Sequence, residues 1–145
     1  MSVDDNKICI RRQFEEVWNQ GELQRVGEFF ADGFVNFGRP TDDVEATLSH
    51  MVALWRAAFP DLRFTVDVLV AEDDIVMCET TFEGTHLGVV RMIPPLEGPT
   101  LVPNGRTCRV KHIHRFRMRD AKISEHFAVR DDLAMFRQLG HLTRL

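Results

Sequence analysis

Three histidines, His112, His114 and His126, are the residues of this chain whose type and spacing best suit chemistry. Imidazole titrates near neutrality, so it can take a proton as a base or give one as an acid. His112 and His114 sit two apart in the stretch RTCRVKHIHRFRMRD, residues 106–120. Side chains alternate across a strand, so Cys108, Val110, His112, His114, Phe116 and Met118 share one face. Arg109, Lys111, Arg115, Arg117 and Arg119 share the other, with Ile113. One face is therefore apolar with two imidazoles, and the other is cationic. A turn at 119–121 leads into a second short run, 123–129, which carries His126. An adjacent antiparallel strand would set His126 near His112 or His114, inside or beside an apolar concavity. A buried imidazole can also be purely structural, but it then needs a partner for at least one ring nitrogen. His-x-His can supply two metal ligands. No third is signalled by spacing, so no metal site is assigned.

The elements that must position these groups follow from periodicity. Residues 6–19 read as a helix with Ile10, Phe14, Val17 and Trp18 on one stripe, stopped at Gln20 and Gly21. Residues 22–30 read as a second, short helix. Gly33 breaks that pattern, and 34–37 reads as a short strand ending in a turn at 38–40. Asp42 or Asp43 can cap a third helix running to Phe59, with Val44, Leu48, Met51 and Trp55 at helical spacing. Pro60 ends it. From Leu62 the period becomes two: Leu62, Phe64, Val66, Val68 and Val70 alternate with Arg63, Thr65 and Asp67. With a turn at 72–74 and a second run at 75–82, this predicts a hairpin. Residues 92–105 hold four of the six prolines and must form a loop; residues 88–105 are expected to border the pocket mouth. Residues 132–139 close the chain with helical spacing. No linker or repeat interrupts residues 1–145, which read as one domain. Helices followed by antiparallel strands imply an α+β fold, with about three helices against a strongly curved sheet. Such a sheet encloses an apolar cavity, and the histidine face would line it.

Composition narrows the function. A net charge of −4 argues against a general nucleic-acid binder. The first residues lack the basic and apolar regions of a signal peptide, and no apolar run approaches a membrane span. Cys9, Cys78 and Cys108 lie outside any CxxC pattern, as expected of reduced thiols in a cytoplasmic protein. The chain has no tyrosine, which excludes any mechanism that needs a tyrosine hydroxyl.

Four stretches together resemble the SnoaL-like polyketide cyclase family: EEVWNQGELQRVGEFFADGFV, LWRAAFPDLRFTV, FEGTHLG with IPPLEG, and HIHRFRMRDAKISEHFAVRDDLAMFRQLG. They run over nearly the whole chain in the right order. The resemblance implies a cone-shaped α+β barrel of the nuclear transport factor 2 type, and a homodimer or homotetramer. It also implies cofactor-independent chemistry on aromatic polyketide intermediates. Family cyclases use a carboxylate as general acid/base, assisted by a histidine, to close the last ring of an anthracycline-type precursor by an intramolecular aldol reaction. In the motif that here reads Ile-Ser-Glu-His-Phe, the carboxylate's place is taken by His126. Relatives with histidine there include proteins linked to hydroxylation of anthracycline precursors. In FVNF, where many members read Val-Asp-His, Asn36 and Phe37 stand instead.

Aldol closure needs a base to remove a proton beside a carbonyl and an acid for the oxygen formed. His126 as base, with His114 or His112 as acid, meets that need, because burial favours the neutral imidazole. Asn36 can donate a hydrogen bond to a substrate oxygen. Trp18, Phe34, Met51, Trp55, Phe64 and Phe127 can pack against a flat polycyclic ligand. By parity Glu125 points away from His126, and Asp131 and Asp132 open the last helix. Three readings follow: a cyclase; a hydroxylase, which requires oxygen reacting with a substrate anion or a separate reductase; and a non-enzymatic binding module or scaffold. An apolar pocket with converging imidazoles separates the enzymes from the scaffold.

Overall fold

The computed structural model describes residues 2–91 and 100–142. Helix α1 (Val3–Arg12) begins earlier than the apolar stripe predicts, because Ser2 and Asp5 form a reciprocal capping box. The helix then loosens into a π-helical stretch, Gln13–Asn19. Its wider turn bonds each N–H five residues back, as in Gln20 N to Glu15 O at 2.9 Å. The short helix expected at 22–30 divides into a 3₁₀ turn, Leu23–Arg25, and α2 (Val26–Phe29). Phe30 already opens β1 (Phe30–Asn36), which pairs with a two-residue strand β2 (Arg39–Pro40). Asp43 caps α3 (Val44–Ala58), its carboxylate accepting the Ala46 N–H at 3.0 Å.

Strands β3 (Arg63–Glu72), β4 (Ile75–Thr85), β5 (Thr107–Arg119) and β6 (Lys122–Arg130) follow, and α4 (Asp132–Gln138) closes the chain behind an Asp131 cap. The six strands form one curved sheet in the order β2-β1-β6-β5-β4-β3. Only β1 and β6 run parallel. The sheet wraps the helices without closing, so β2 and β3 remain as edges. Strand β5 buries its even-numbered face throughout, and Ile113 on the other face is 43% exposed.

Two bulges reset the alternation. At Asp67 the β3–β4 register shifts between Val66 and Val68. Val68 and Val70, which simple alternation places with Phe64, therefore turn outward and are exposed. Leu69 and Ala71 pack on the core in their place. At Ser124 the β5–β6 register shifts between Arg117 and Met118. Without that extra residue, buried Ile123 and charged Glu125 would share the inner face. With it, Glu125 lies outside against Arg115 and Arg117, and His126 turns inward.

The core joins the stripe of α1 and the π-helical stretch (Ile10, Phe14, Val17) and α3 (Leu48, Val52) to the inner sheet face. Each such apolar side chain stabilises the fold by roughly 1.5–3 kcal/mol on burial. On the outer face the cations find acidic partners within the chain: Lys111 meets Asp67 and Glu79, and Arg117 meets Asp74. These pairs are exposed and add little stability. No helix among the described residues is long and apolar enough to cross a membrane. In the proline-rich loop, Val90 pairs with Leu101. The described residues of 88–105 do not line the central cavity, and 92–99 lie outside the described residues.

Candidate active site

Three neighbouring strands, β1, β6 and β5, assemble the polar part of the site. His114 stands opposite Ala128, and His126 opposite Phe116, so the two histidines are diagonal neighbours on the inner face. The small Ala128 leaves the His126 ring room to lean toward β5. His114 Nδ1 lies 2.9 Å from His126 Nε2. On the other side, the parallel register sets Asn36 beside His126, with Asn36 Oδ1 2.8 Å from His126 Nδ1.

With the Asn36 amide oxygen facing His126, the hydrogen-bond pattern assigns the protons. An amide oxygen can only accept, so His126 carries its proton on Nδ1 and donates it to Asn36. His126 Nε2 is then a lone pair and accepts the N–H of His114 Nδ1. His114 Nε2 is left with its lone pair, buried and without a partner among the described residues. The row Asn36–His126–His114 therefore ends in a free basic nitrogen on His114. His126, expected as the principal acid/base group, has both ring nitrogens engaged. His112 stacks flat on Phe82, with ring centroids 5.7 Å apart, and its Nδ1 is likewise unpartnered.

The histidines line a cavity of roughly 90 Å³ between the sheet and the helices. Its floor is made of buried residues, Phe14, Phe34, Leu48, Phe64, Phe82 and Phe116, with His112 and His114. Its mouth is ringed by half-buried ones, Trp18, Asn36, Phe37, Met51, Trp55, His126 and Arg130. A cavity near 150 Å³ holds benzene.

Burial lowers the affinity of all three imidazoles for a proton. His112 and His126 are both pulled from 6.5 to about 3, chiefly by desolvation and then by the Arg130 guanidinium. His114 is held well below its ordinary value by desolvation first and by His126 and His112 next. The site therefore presents neutral imidazoles across the physiological range. Arg130 packs its guanidinium over the Trp55 ring at 5.2 Å and pairs with Asp132 at 2.8 Å. Among the described residues, no three His, Cys, Asp or Glu side chains cluster as metal ligands.

The sequence profile of the SnoaL-like polyketide cyclases matches residues 8–139. The chain belongs to that family. The SnoaL-like fold is also found in solved structures. TsrD from Streptomyces laurentii superposes with a TM-score of 0.83 at 22% identity, covering 98% of this chain and 99% of its own. AclR from Streptomyces galilaeus, a candidate hydroxylase, gives 0.79 at 23% identity over 99% and 86%. IdmH from Streptomyces antibioticus, a candidate polyketide cyclase, gives 0.74 at 26% identity over 93% and 98%. No curated protein matches the chain in sequence.

Nine of the ten residues singled out from the sequence line this SnoaL-like cavity: the three histidines, Asn36, Trp18, Phe34, Met51, Trp55 and Phe64. Phe127 does not. It alternates with His126, points outward, and is 43% exposed between Phe37 and Arg115. Nine further described residues line the cavity, among them Gln13, Phe37 and Arg130. Arg130 shares the parity of His126 and Ala128, which was readable. Gln13 and Trp18 are five apart, a spacing that an α-helix splits between two faces and a π-helix brings together. Phe37 enters through a backbone at φ 50°, which spacing does not signal.

Proposed function

We propose that this SnoaL-like protein is an enzyme of aromatic polyketide metabolism that carries out cofactor-independent acid/base chemistry, with intramolecular aldol cyclisation as its reaction. The observation that carries this reading is the row Asn36–His126–His114 ending in an unpartnered nitrogen inside an apolar cavity. His114 Nε2 takes the proton beside a substrate carbonyl. The imidazolium so formed is supported by the hydrogen bond from its Nδ1–H to His126, which Asn36 holds in the accepting tautomer. The enolate carbon attacks a second carbonyl carbon, and the proton returns from His114 to the alkoxide. Atoms and electrons balance without a co-reactant. Arg130 disfavours a lone imidazolium but favours the enolate, so the pair forms together. A base this weak suits a C–H bond acidified by two neighbouring groups, as in a polyketone. His112, beside His114, tunes the base and closes the floor. The aromatic rim suits a flat substrate.

A second reading, hydroxylation, is favoured by a histidine standing at the carboxylate's position and by the likeness to AclR. It requires oxygen, with or without a separate reductase. Incubation with anthracycline-type intermediates, with and without oxygen and reductant, tests both. A product of unchanged composition, or one that has lost only water, supports cyclisation. A product that gains one oxygen atom supports hydroxylation and refutes ring closure.

A further inference from the structure

We propose that Gln13 is a catalytic residue of this site: its side-chain N–H binds the oxygen of an enolisable carbonyl whose neighbouring C–H faces His114 Nε2. This rests on the reading of His114 as base. Gln13 is 1% exposed, lies in the cavity wall, and its Nε2 has no hydrogen-bond partner among the described residues. A buried, unpaired amide donor is costly, and native proteins rarely keep one without a use. The backbone around it is also unusual. The π-helical stretch begins at Gln13 and brings it onto the cavity side together with Trp18. Such turns recur at functional sites.

Of the unpartnered polar atoms on this apolar cavity, two together define a ligand. His114 Nε2 offers a lone pair, and Gln13 Nε2 offers a donor. A carbonyl with an α-hydrogen satisfies both at once. When His114 removes that proton, the C–H electron pair moves into a C–C double bond and the carbonyl oxygen takes the negative charge. The Gln13 N–H then holds an anion in place of a neutral oxygen, and the hydrogen bond strengthens as the charge develops. Gln13 thus acts on the transition state more than on the ground state.

Two small probes test this. 2-Tetralone is an enolisable bicyclic ketone, and exchange of its α-hydrogens with deuterium is followed by NMR. 2-Naphthol carries an O–H that donates to His114 while its oxygen accepts from Gln13, and its binding needs no proton abstraction. Wild-type protein is expected to accelerate the exchange, and His114→Phe to abolish it. Gln13→Leu and Gln13→Met are expected to slow exchange by about 10²–10³-fold. They should weaken 2-naphthol by about tenfold or more while leaving Tm unchanged or higher, because an apolar side chain of similar size replaces an unpaired amide. Unchanged naphthol affinity and exchange in both Gln13 variants would overturn the proposal. So would a fall in Tm that accompanies the losses, since that marks a structural amide. If His114→Phe exchanges like wild type while the Gln13 variants lose naphthol, the base assignment fails and Gln13 stands as a binding donor. Wild-type protein that binds no 2-naphthol and exchanges no 2-tetralone overturns both.

Discussion

His114 Nδ1 and His126 Nε2 lie 2.9 Å apart although the sheet register does not pair the two residues. Each faces a different cross-strand partner, and the rings meet on the diagonal with centroids 5.2 Å apart. Phe116, opposite His126, packs on both rings and keeps them from swinging into solvent. The contact is thus set by one small residue, Ala128, and one large one, Phe116. It leaves the two imidazoles unequal: both ring nitrogens of His126 are engaged, and His114 Nε2 has no partner among the described residues.

That inequality orders two substitutions. His114→Phe removes the free nitrogen and should lower turnover by about 10²–10⁴-fold, the usual range for a general acid–base group. His126→Asn keeps some hydrogen bonding but loses the fixed tautomer, so its loss should be smaller. The double variant should fall little below His114→Phe, because the two act as a unit. Single-turnover rates decide this. Equal losses adding in the double variant would mean that each histidine acts alone. His126→Asp, which places the carboxylate of family cyclases against His114, should retain more ring-closing activity than His126→Asn.

Asn36→Asp should move the pH profile. A carboxylate in place of the amide would sit against His126 Nδ1 and favour the protonated imidazole, raising its affinity for a proton. In wild type the acid limb of kcat/KM should lie below 6.5, because burial lowers the imidazoles. In the variant that limb should shift upward, toward neutrality. A profile that stays in place would remove Asn36 from the relay.

The inward face of β5 was legible because alternation over thirteen residues is unambiguous. The cap of α3 and the opening of α4 were legible from Asp43 and Asp131. The meeting of His126 with the β5 histidines was anticipated as proximity, but not which histidine it meets. That depends on the extra residue at Ser124, and the only hint is that Ile123 and Glu125 cannot both be buried. The same kind of bulge at Asp67 turned Val68 and Val70 outward. Phe127 has a ring suited to a flat ligand, but it alternates with inward His126 and so points outward. Gln13 was hidden because a helical wheel drawn at 3.6 residues per turn does not apply to a π-helical stretch.

Phe37 is strained. It occupies the first position of the two-residue turn between β1 and β2 at φ 50°, beside Gly38 at φ 76°. Asparagine and glycine accept this conformation and a bulky ring does not. Its ring packs edge-on against His126 at 5.6 Å and lines the cavity mouth. Phe37→Asn should raise stability by about 1 kcal/mol through relief of strain and weaken binding of a flat ligand. Chemical denaturation with a parallel binding titration checks both halves. Lower stability would show that the ring's packing outweighs the strain.

The outer sheet face carries exposed Met77, Ile113, Phe127 and Val129 next to the Arg115–Glu125 pair. An apolar band rimmed by charge is a surface that a second copy can cover. We expect a homodimer through it, and Ile113→Glu should dissociate that dimer without unfolding the chain. Light scattering that returns a monomer mass for the wild type at working concentration would sink this expectation.

Acid should unfold this protein earlier than its carboxylates require. His112 and His126 bind protons at about 3 in the fold and near 6.5 when unfolded. Between those values the unfolded chain binds more protons, so stability falls as pH falls. The stabilisation is complete above 6.5 and is lost as pH drops toward 3. From pH 6.5 to about 5, each such imidazole removes about 2 kcal/mol. His114, shifted the same way, adds to the loss. Together these are a large part of a stability of about 5–15 kcal/mol. The urea midpoint should therefore fall steeply between about pH 7 and 5. His112→Phe keeps an aromatic ring against Phe82 and has no proton to gain, so its midpoint should fall less over the same interval. If the two curves run parallel, the His112 imidazole is not neutralised by burial, and the supply of neutral base that the proposed chemistry depends on would have to come from elsewhere.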